Sequence, residues 1–378
     1  MWAKIDYAPV LLPLGISFFT FQKIAFLVDC YTGRTEDRSL SRFFLFVFFF
    51  PQLVAGPIAH HRELKGQISA MGPISSTNAA SGLTIMVIGL FKKVVLADLF
   101  AGMSQKVFGA AAVGGVTSLD AWAGALAFTL EIYLDFSGYS DIAIGISKIF
   151  GIEMPVNFLS PYKSASIIEF WRRWHITLSN FLRDYIYFPL GGSRKGTGRQ
   201  FVNVLVVMSL GGLWHGAGWP FVCWGVLHGC YLVVNHAWRK TSLGGRFGAL
   251  GTGVSIALTM IAVVMAWVLF RADSLATALT LYRSMVGLAG GDVILIGLQA
   301  WWLIGVGAVF VWALPNTSQL MAYRPERYGM PQIETARWQD LLAIRWRPDW
   351  IWGLTFAVVG YITLGSMIDP RKFIYFNF

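Results

Sequence analysis

Apolar residues in this chain come in long unbroken runs separated by short polar stretches, instead of alternating as half-buried strands do. The runs predict helices near residues 8–28, 40–59, 81–99, 119–150, 201–214, 218–236, 250–270, 293–313 and 350–368. Crossing a hydrocarbon core of about 30 Å takes roughly 20 helical residues, and most of these runs suffice. Only helices and closed barrels satisfy their backbone in lipid, so the pattern predicts an all-α, polytopic membrane bundle. One membrane domain over residues 1–378 accounts for it, and no internal repeat is visible. The run at 119–150 exceeds one straight crossing and contains Gly138, so it is expected to bend or divide. The run at 201–214 is the reverse case. Its 14 residues span about 21 Å, short of a full crossing. The glycines and proline of GGLWHGAGWP (211–220) then predict a break inside the membrane. Irregular backbone at that depth is tolerated only where protein buries it or a wet cavity borders it.

Composition agrees with a lipid setting. Charged residues make up 13% of the 378 positions, against about 25% in soluble domains. The mean hydropathy is +0.57. The net charge of +10 does not point to nucleic acid, because the 30 Lys and Arg sit between the apolar runs rather than on one face. Positive-inside bias explains that placement. It assigns the zone of Arg172, Arg173, Arg183 and GGSRKGTGR (191–199) to the cytoplasm. A second polar stretch, 315–349, carries IETARWQDLLAIRWR, which fits a helix lying on the membrane surface or a solvated connector. Residues 1–30 do not read as a signal peptide, since the apolar part contains Gln22 and Lys23 and lacks a small-residue cleavage site. Cys30, Cys223 and Cys230 form no CxxC pair and read as buried, inert thiols.

Candidate chemistry centres on histidines. Wound as one helix, FWRRWHITLSNFLRDY (170–185) puts Trp171, Trp174, His175, Leu178 and Leu182 on an apolar stripe, with Arg173, Asn180 and Asp184 facing away. His175 then points inward, either as a packing group or as part of a site. His215 stands at the predicted break. An imidazole there is desolvated and uncharged and can accept a proton, or it can plug freed backbone groups. His228 reads as helix packing, and His60 and His61, beside Arg62 and Lys65, as membrane-surface residues. In TLEIYLDFSGYSDIAIG (129–145), Glu131 and Asp135 share a helix face. They need a cation or donors, an arginine of the 172–183 zone being one option. Serine-hydrolase elbow, P-loop, dinucleotide and zincin motifs are absent. Cys223, His228 and Cys230 lie on one helix with no fourth ligand, so no metal is expected.

Five segments in order, LLPLGISFFTFQKIAFLVDCY (11–31), FFPQLVAGPI (49–58), YLDFSGYSDIAIG (133–145), FWRRWHITLSNFLRDYIYFPLGG (170–192) and LGGLWHGAGWPFVCWGVLHG (210–229), closely resemble the membrane-bound O-acyltransferase family. The branch is the one with the alginate O-acetyltransferase and the D-alanine transferase of teichoic acids. The likeness is strong over roughly residues 10–270 and general over 271–378. It implies that His215 is the family's catalytic histidine and His175 its second active-site position, meeting across a central tunnel between broken or re-entrant helices. Trp171, Trp174, Arg172, Arg173, Trp214 and Asp135 would shape that tunnel or bind the donor. The implied donor is cytoplasmic acetyl-CoA, a substrate and not a tightly held cofactor. The implied acceptor is a hydroxyl of an extracytoplasmic polysaccharide such as alginate, reached with a periplasmic partner from a multi-pass place in the bacterial inner membrane. Two departures stand out. Relatives carry further spans ahead of the LPLGISFFTFQ motif, and Glu131 replaces an expected Gln. Two rival classes are a transporter or flippase of lipid-linked sugar, for which broken helices are also typical, and an inactive membrane scaffold that recruits an acetyltransferase.

Overall fold

The computed structural model describes residues 15–35, 39–241, 251–291, 294–323 and 344–367. Every helix or strand assigned among them is helical. Helix α1 (Ile16–Tyr31) is followed by the short helices α2 (Leu40–Val47) and α3 (His61–Ser69). Helix α4 (Ser76–Leu90) runs through a π-helical turn, Phe91–Ala97, into α5 (Asp98–Val113). The centre is α6 (Ser118–Ile149), followed by α7 (Ile167–Arg173), α8 (Ile176–Leu182), α9 (Thr197–His215) and α10 (Trp219–Arg239). Helices α11 (Gly251–Arg271), α12 (Leu275–Met285), α13 (Leu298–Ala313), α14 (Thr317–Leu320) and α15 (Trp350–Ser366) complete the described chain.

The 32 residues of α6 form one uninterrupted helix about 48 Å long, so the run is not divided into two pieces. Gly138 serves a helix crossing. A Cβ on Gly89 of α4 would lie 2.5 Å from the Gly138 carbonyl oxygen, and one on Gly82 would lie 2.6 Å from that of Gly145. The glycines recur seven residues apart on both helices, in antiparallel order, so two backbones meet at close range along two turns. That proximity lets polar groups of α6 be satisfied by neighbouring helices instead of water: Asp135 pairs with Lys93 at 2.7 Å and Asp141 with Lys92 at 2.7 Å.

Other expectations need correction. The run at 40–59 is no continuous helix. It stops at Val47, turns through Phe50–Gln52 and proceeds irregularly, because Pro51 and Pro57 cannot extend a helical ladder. Buried Gln52 closes the end of α2 by donating to the Phe46 carbonyl at 2.5 Å. The short run at 201–214 is longer than its apolar core: α9 has 19 residues, about 28 Å of helix. Cys30 and Cys230 are exposed and Cys223 is half-buried, so they are not core thiols. Among the described residues, α11 is the helix that is both at least 18 residues long and strongly apolar, while α13 and α15 are apolar but shorter. Part of the first predicted span (8–14) and most of IETARWQDLLAIRWR (333–343 of it) lie outside the described residues.

Candidate functional site

The stretch FWRRWHITLSNFLRDY is two helices, not one. Helix α7 ends at Arg173, and His175 takes a left-handed conformation, φ 42° and ψ 53°, before α8 begins. A non-glycine residue there stores about 1–3 kcal/mol and persists only where its surroundings over-determine it. Segment 157–159 supplies that constraint. Leu159 N–H donates to the Arg173 carbonyl and Ile176 N–H to the Asn157 carbonyl, both at 3.0 Å. The Asn157 side chain holds the turn from within. Its Oδ1 accepts from Thr177 N–H (3.3 Å) and Thr177 Oγ1 (3.0 Å) and lies 3.1 Å from His175 Nδ1. Its Nδ2 donates to Ser140 Oγ at 3.3 Å.

This network sets the imidazole's tautomer. Because Asn157 presents an oxygen, His175 Nδ1 must carry the hydrogen, and Nε2 of the neutral ring keeps a lone pair. That Nε2 is buried with no hydrogen-bond partner among the described residues. Phe136 meets the ring edge-on at 4.7 Å, and Phe18 stacks on it at 6.3 Å. Asn157 was invisible to sequence reasoning, since it lies 18 residues from its histidine in a segment with no helical period.

His215 is the last residue of α9, where extended Gly216 ends the helix as expected, and Pro220 starts α10. A Cβ at 216 would press 2.5 Å from the Phe221 ring, which would have to shift to admit it. The His215 ring is buried among Trp214 (4.8 Å), Phe270 (5.1 Å) and Trp224 (5.2 Å). Trp214 also lies 6.3 Å from His175, so one indole stands beside both imidazoles. Helix α1 fixes that indole: Phe21 stacks on it at 5.1 Å and on Phe181 at 4.3 Å, and Phe18 meets it edge-on at 5.2 Å. Phe18 and Phe21 were not singled out from sequence, although their i, i+3 spacing places them on one face.

The remaining expected site residues divide. Trp171 and Arg172 line a cavity of about 560 Å³. Its apolar wall includes Ile176, Val207 and Met208, and Arg183, Gln200 and His236 give it polar groups. Trp174 turns inward instead, 1% exposed and packed on Trp267 at 4.9 Å. Arg173 does not face solvent: it is 3% exposed and paired at 2.6 Å with Glu169, one turn back on α7. Asp135 lies one position before Phe136 and turns toward Lys93, not toward an arginine or the histidines. Glu131 accepts from the Ser104 hydroxyl. His228 is fully buried, as a packing histidine should be, with Trp171 Nε1 donating to its Nδ1 at 3.3 Å. His60 and His61 are buried, not at a surface. Tyr185 Oη lies 3.2 Å from His60 Nδ1 and donates to Asp29 at 2.9 Å. No group of three His, Cys, Asp or Glu suited to a metal occurs among the described residues.

A helical core with two histidines at helix ends, sharing one indole, is the arrangement to set beside known proteins. Residues 18–243 match the MBOAT, membrane-bound O-acyltransferase, family. The chain belongs to that family. It is 42% identical over 308 residues to a peptidoglycan O-acetyltransferase of Helicobacter pylori, covering 74% of this chain and 58% of the relative. To a probable alginate O-acetylase AlgI of Pseudomonas fluorescens it is 44% identical over 277 residues, 73% of this chain and 54% of the relative. To a teichoic acid D-alanyltransferase of Streptococcus thermophilus it is 29% identical over 240 residues, 60% and 57% respectively. The chain thus spans a little over half the length of the relatives it matches.

Proposed function

We propose that this chain is the core of a multi-pass inner-membrane O-acetyltransferase. It moves acetyl from cytoplasmic acetyl-CoA toward a hydroxyl of an extracytoplasmic polysaccharide, such as alginate or peptidoglycan, along a tunnel that contains both histidines. A periplasmic partner completes transfer where the acceptor is polymeric. The observation that carries this reading is the pair of buried imidazoles beside Trp214, each at the end of an interrupted helix. His215 takes the proton of the attacking hydroxyl as its oxygen bonds to the thioester carbonyl carbon. The C–S bond then breaks, and the imidazolium returns the proton to the departing thiolate. General-base assistance of this kind is worth about 10²- to 10⁴-fold. His175, with its lone pair on Nε2, positions the donor by accepting from an amide N–H or a hydroxyl. In that tautomer it cannot polarise the thioester carbonyl. The cavity beside Trp171 suits the donor's arm, with Arg172 available to its phosphates and Arg183, paired with Asp184, beside it.

The test is His215→Ala, with polymer acetylation and protein abundance measured together. Acetylation is expected to fall at least about 100-fold at unchanged abundance, whereas retained acetylation refutes the assignment.

A further inference from the structure

Lys163 and Arg173 are both 3% exposed, and they repel one another electrostatically. Lys163 Nζ donates to the Leu314 carbonyl at 3.2 Å and has no carboxylate partner among the described residues. Arg173 holds the single acid of the cluster, Glu169, through Nη2 at 2.6 Å. The other carboxylate oxygen is taken by Ala165 N–H at 2.8 Å. Arg173 Nε and Ser164 Oγ, the latter in a residue 1% exposed, have no hydrogen-bond partner among the described residues. The cluster therefore buries two cations against one anion and leaves donors unused.

An unpaired buried charge is costly, as is a buried donor without an acceptor. One ligand chemistry relieves both: an oxyanion with several acceptor oxygens, which an ammonium, a guanidinium N–H and a hydroxyl recognise together. We infer that Lys163, Ser164 and Arg173 form a phosphate-binding site between the 159–164 segment, the end of α7 and the end of α13. Leu159, whose carbonyl lies 3.5 Å from Arg173 Nη1, also lines the cavity described above, so Arg173 adjoins one wall of that cavity. The phosphate belongs to a lipid headgroup or to a soluble nucleotide. The site does not depend on the acyl-transfer reading.

The test follows the melting of the purified protein in phosphate-free detergent buffer. Inorganic phosphate, adenosine 3′,5′-bisphosphate and phosphatidic acid in mixed micelles are titrated separately. Saturable stabilisation by inorganic phosphate is expected, and the stronger of the other two responses names the source. Lys163→Met should weaken that response by roughly 10- to 100-fold. Without phosphate it should melt at or above the wild-type temperature, because a repelling charge has gone. Ser164→Ala, a milder change, should weaken the response with no loss of fold. His215→Ala should keep the full response, which separates this site from the catalytic assignment. No response to any phosphate source, or an undiminished response in both Lys163→Met and Ser164→Ala, overturns the proposal.

Discussion

Gly212→Ala probes how tightly the fold controls the position of His215. Gly212 sits three residues before the histidine, at the crossing of α9 and α10, where its Cβ would lie 2.3 Å from the Phe221 carbonyl oxygen. The contact is reciprocal, since a Cβ on Gly225 would lie 2.3 Å from the Met208 carbonyl oxygen. Ordinary contact begins near 3.4 Å, and the opposing atoms are backbone, so the helices must separate by roughly 1 Å. Overpacking of this kind costs about 1–3 kcal/mol. A displacement near 1 Å at a reacting group costs about 100-fold in rate. The control is Gly145→Ala, whose Cβ would meet the Gly82 carbonyl oxygen at 2.6 Å in the α4–α6 crossing, away from both histidines. Melting in detergent and acetyl transfer per molecule of folded protein are measured for both variants. Both should melt lower, while only Gly212→Ala should lose about two orders of magnitude in transfer. Equal specific activity for Gly212→Ala and wild type would refute the claim that this crossing sets the histidine.

Three further outcomes follow from the same contacts. Asn157→Ala removes the acceptor shared by His175 and Thr177 and should destabilise by about 2–4 kcal/mol, while Asn157→Asp, which keeps an acceptor, should retain more transfer activity; denaturation and transfer assays read the two effects. Lys93→Met leaves Asp135 buried without its 2.7 Å partner and should cost about 3–5 kcal/mol. The double variant Lys93→Met/Asp135→Leu should cost less than Lys93→Met alone, which a double-mutant cycle in denaturant checks. Cys30 is exposed at the end of α1 that carries the Asp29–Tyr185 contact, adjoining the Arg183 zone. An impermeant maleimide should label it in inverted vesicles and not in intact cells.

The all-helical class was legible because runs of apolar residues constrain every turn of a helix, and the end of α9 was legible because Gly216 and Pro220 act locally. The two histidines stood out for a related reason: an ionisable group inside an apolar run has few uses. Partners were another matter. Asn157 reaches His175 from a segment without period, and Thr177 also accepts from Ile58 N–H, 119 residues away. Nothing local encodes such contacts. The error at Arg173 has a definite cause. A helical wheel sorts residues only by the face of their own helix, and on α7 the face opposite the stripe is also covered by protein, where Arg173 meets Glu169 and the Leu159 carbonyl.

The same limit explains why the lysine partners of the α6 acids could not be named from the sequence. Lys92 and Lys93 are consecutive, and on a regular helix their side chains would diverge by about 100°. Yet both reach α6, one to Asp141 and the other to Asp135. The two lysines lie in the π-helical turn Phe91–Ala97, which adds a residue to the local turn and re-aims the side chains. The turn comes directly after the Gly89–Gly138 contact, where the helices are closest. Lys92 is further held by Thr317 at 2.9 Å and Lys93 by Asp98 at 3.2 Å, so each ammonium group meets two protein acceptors. Close backbones thus make the burial of two ion pairs affordable in an apolar bundle.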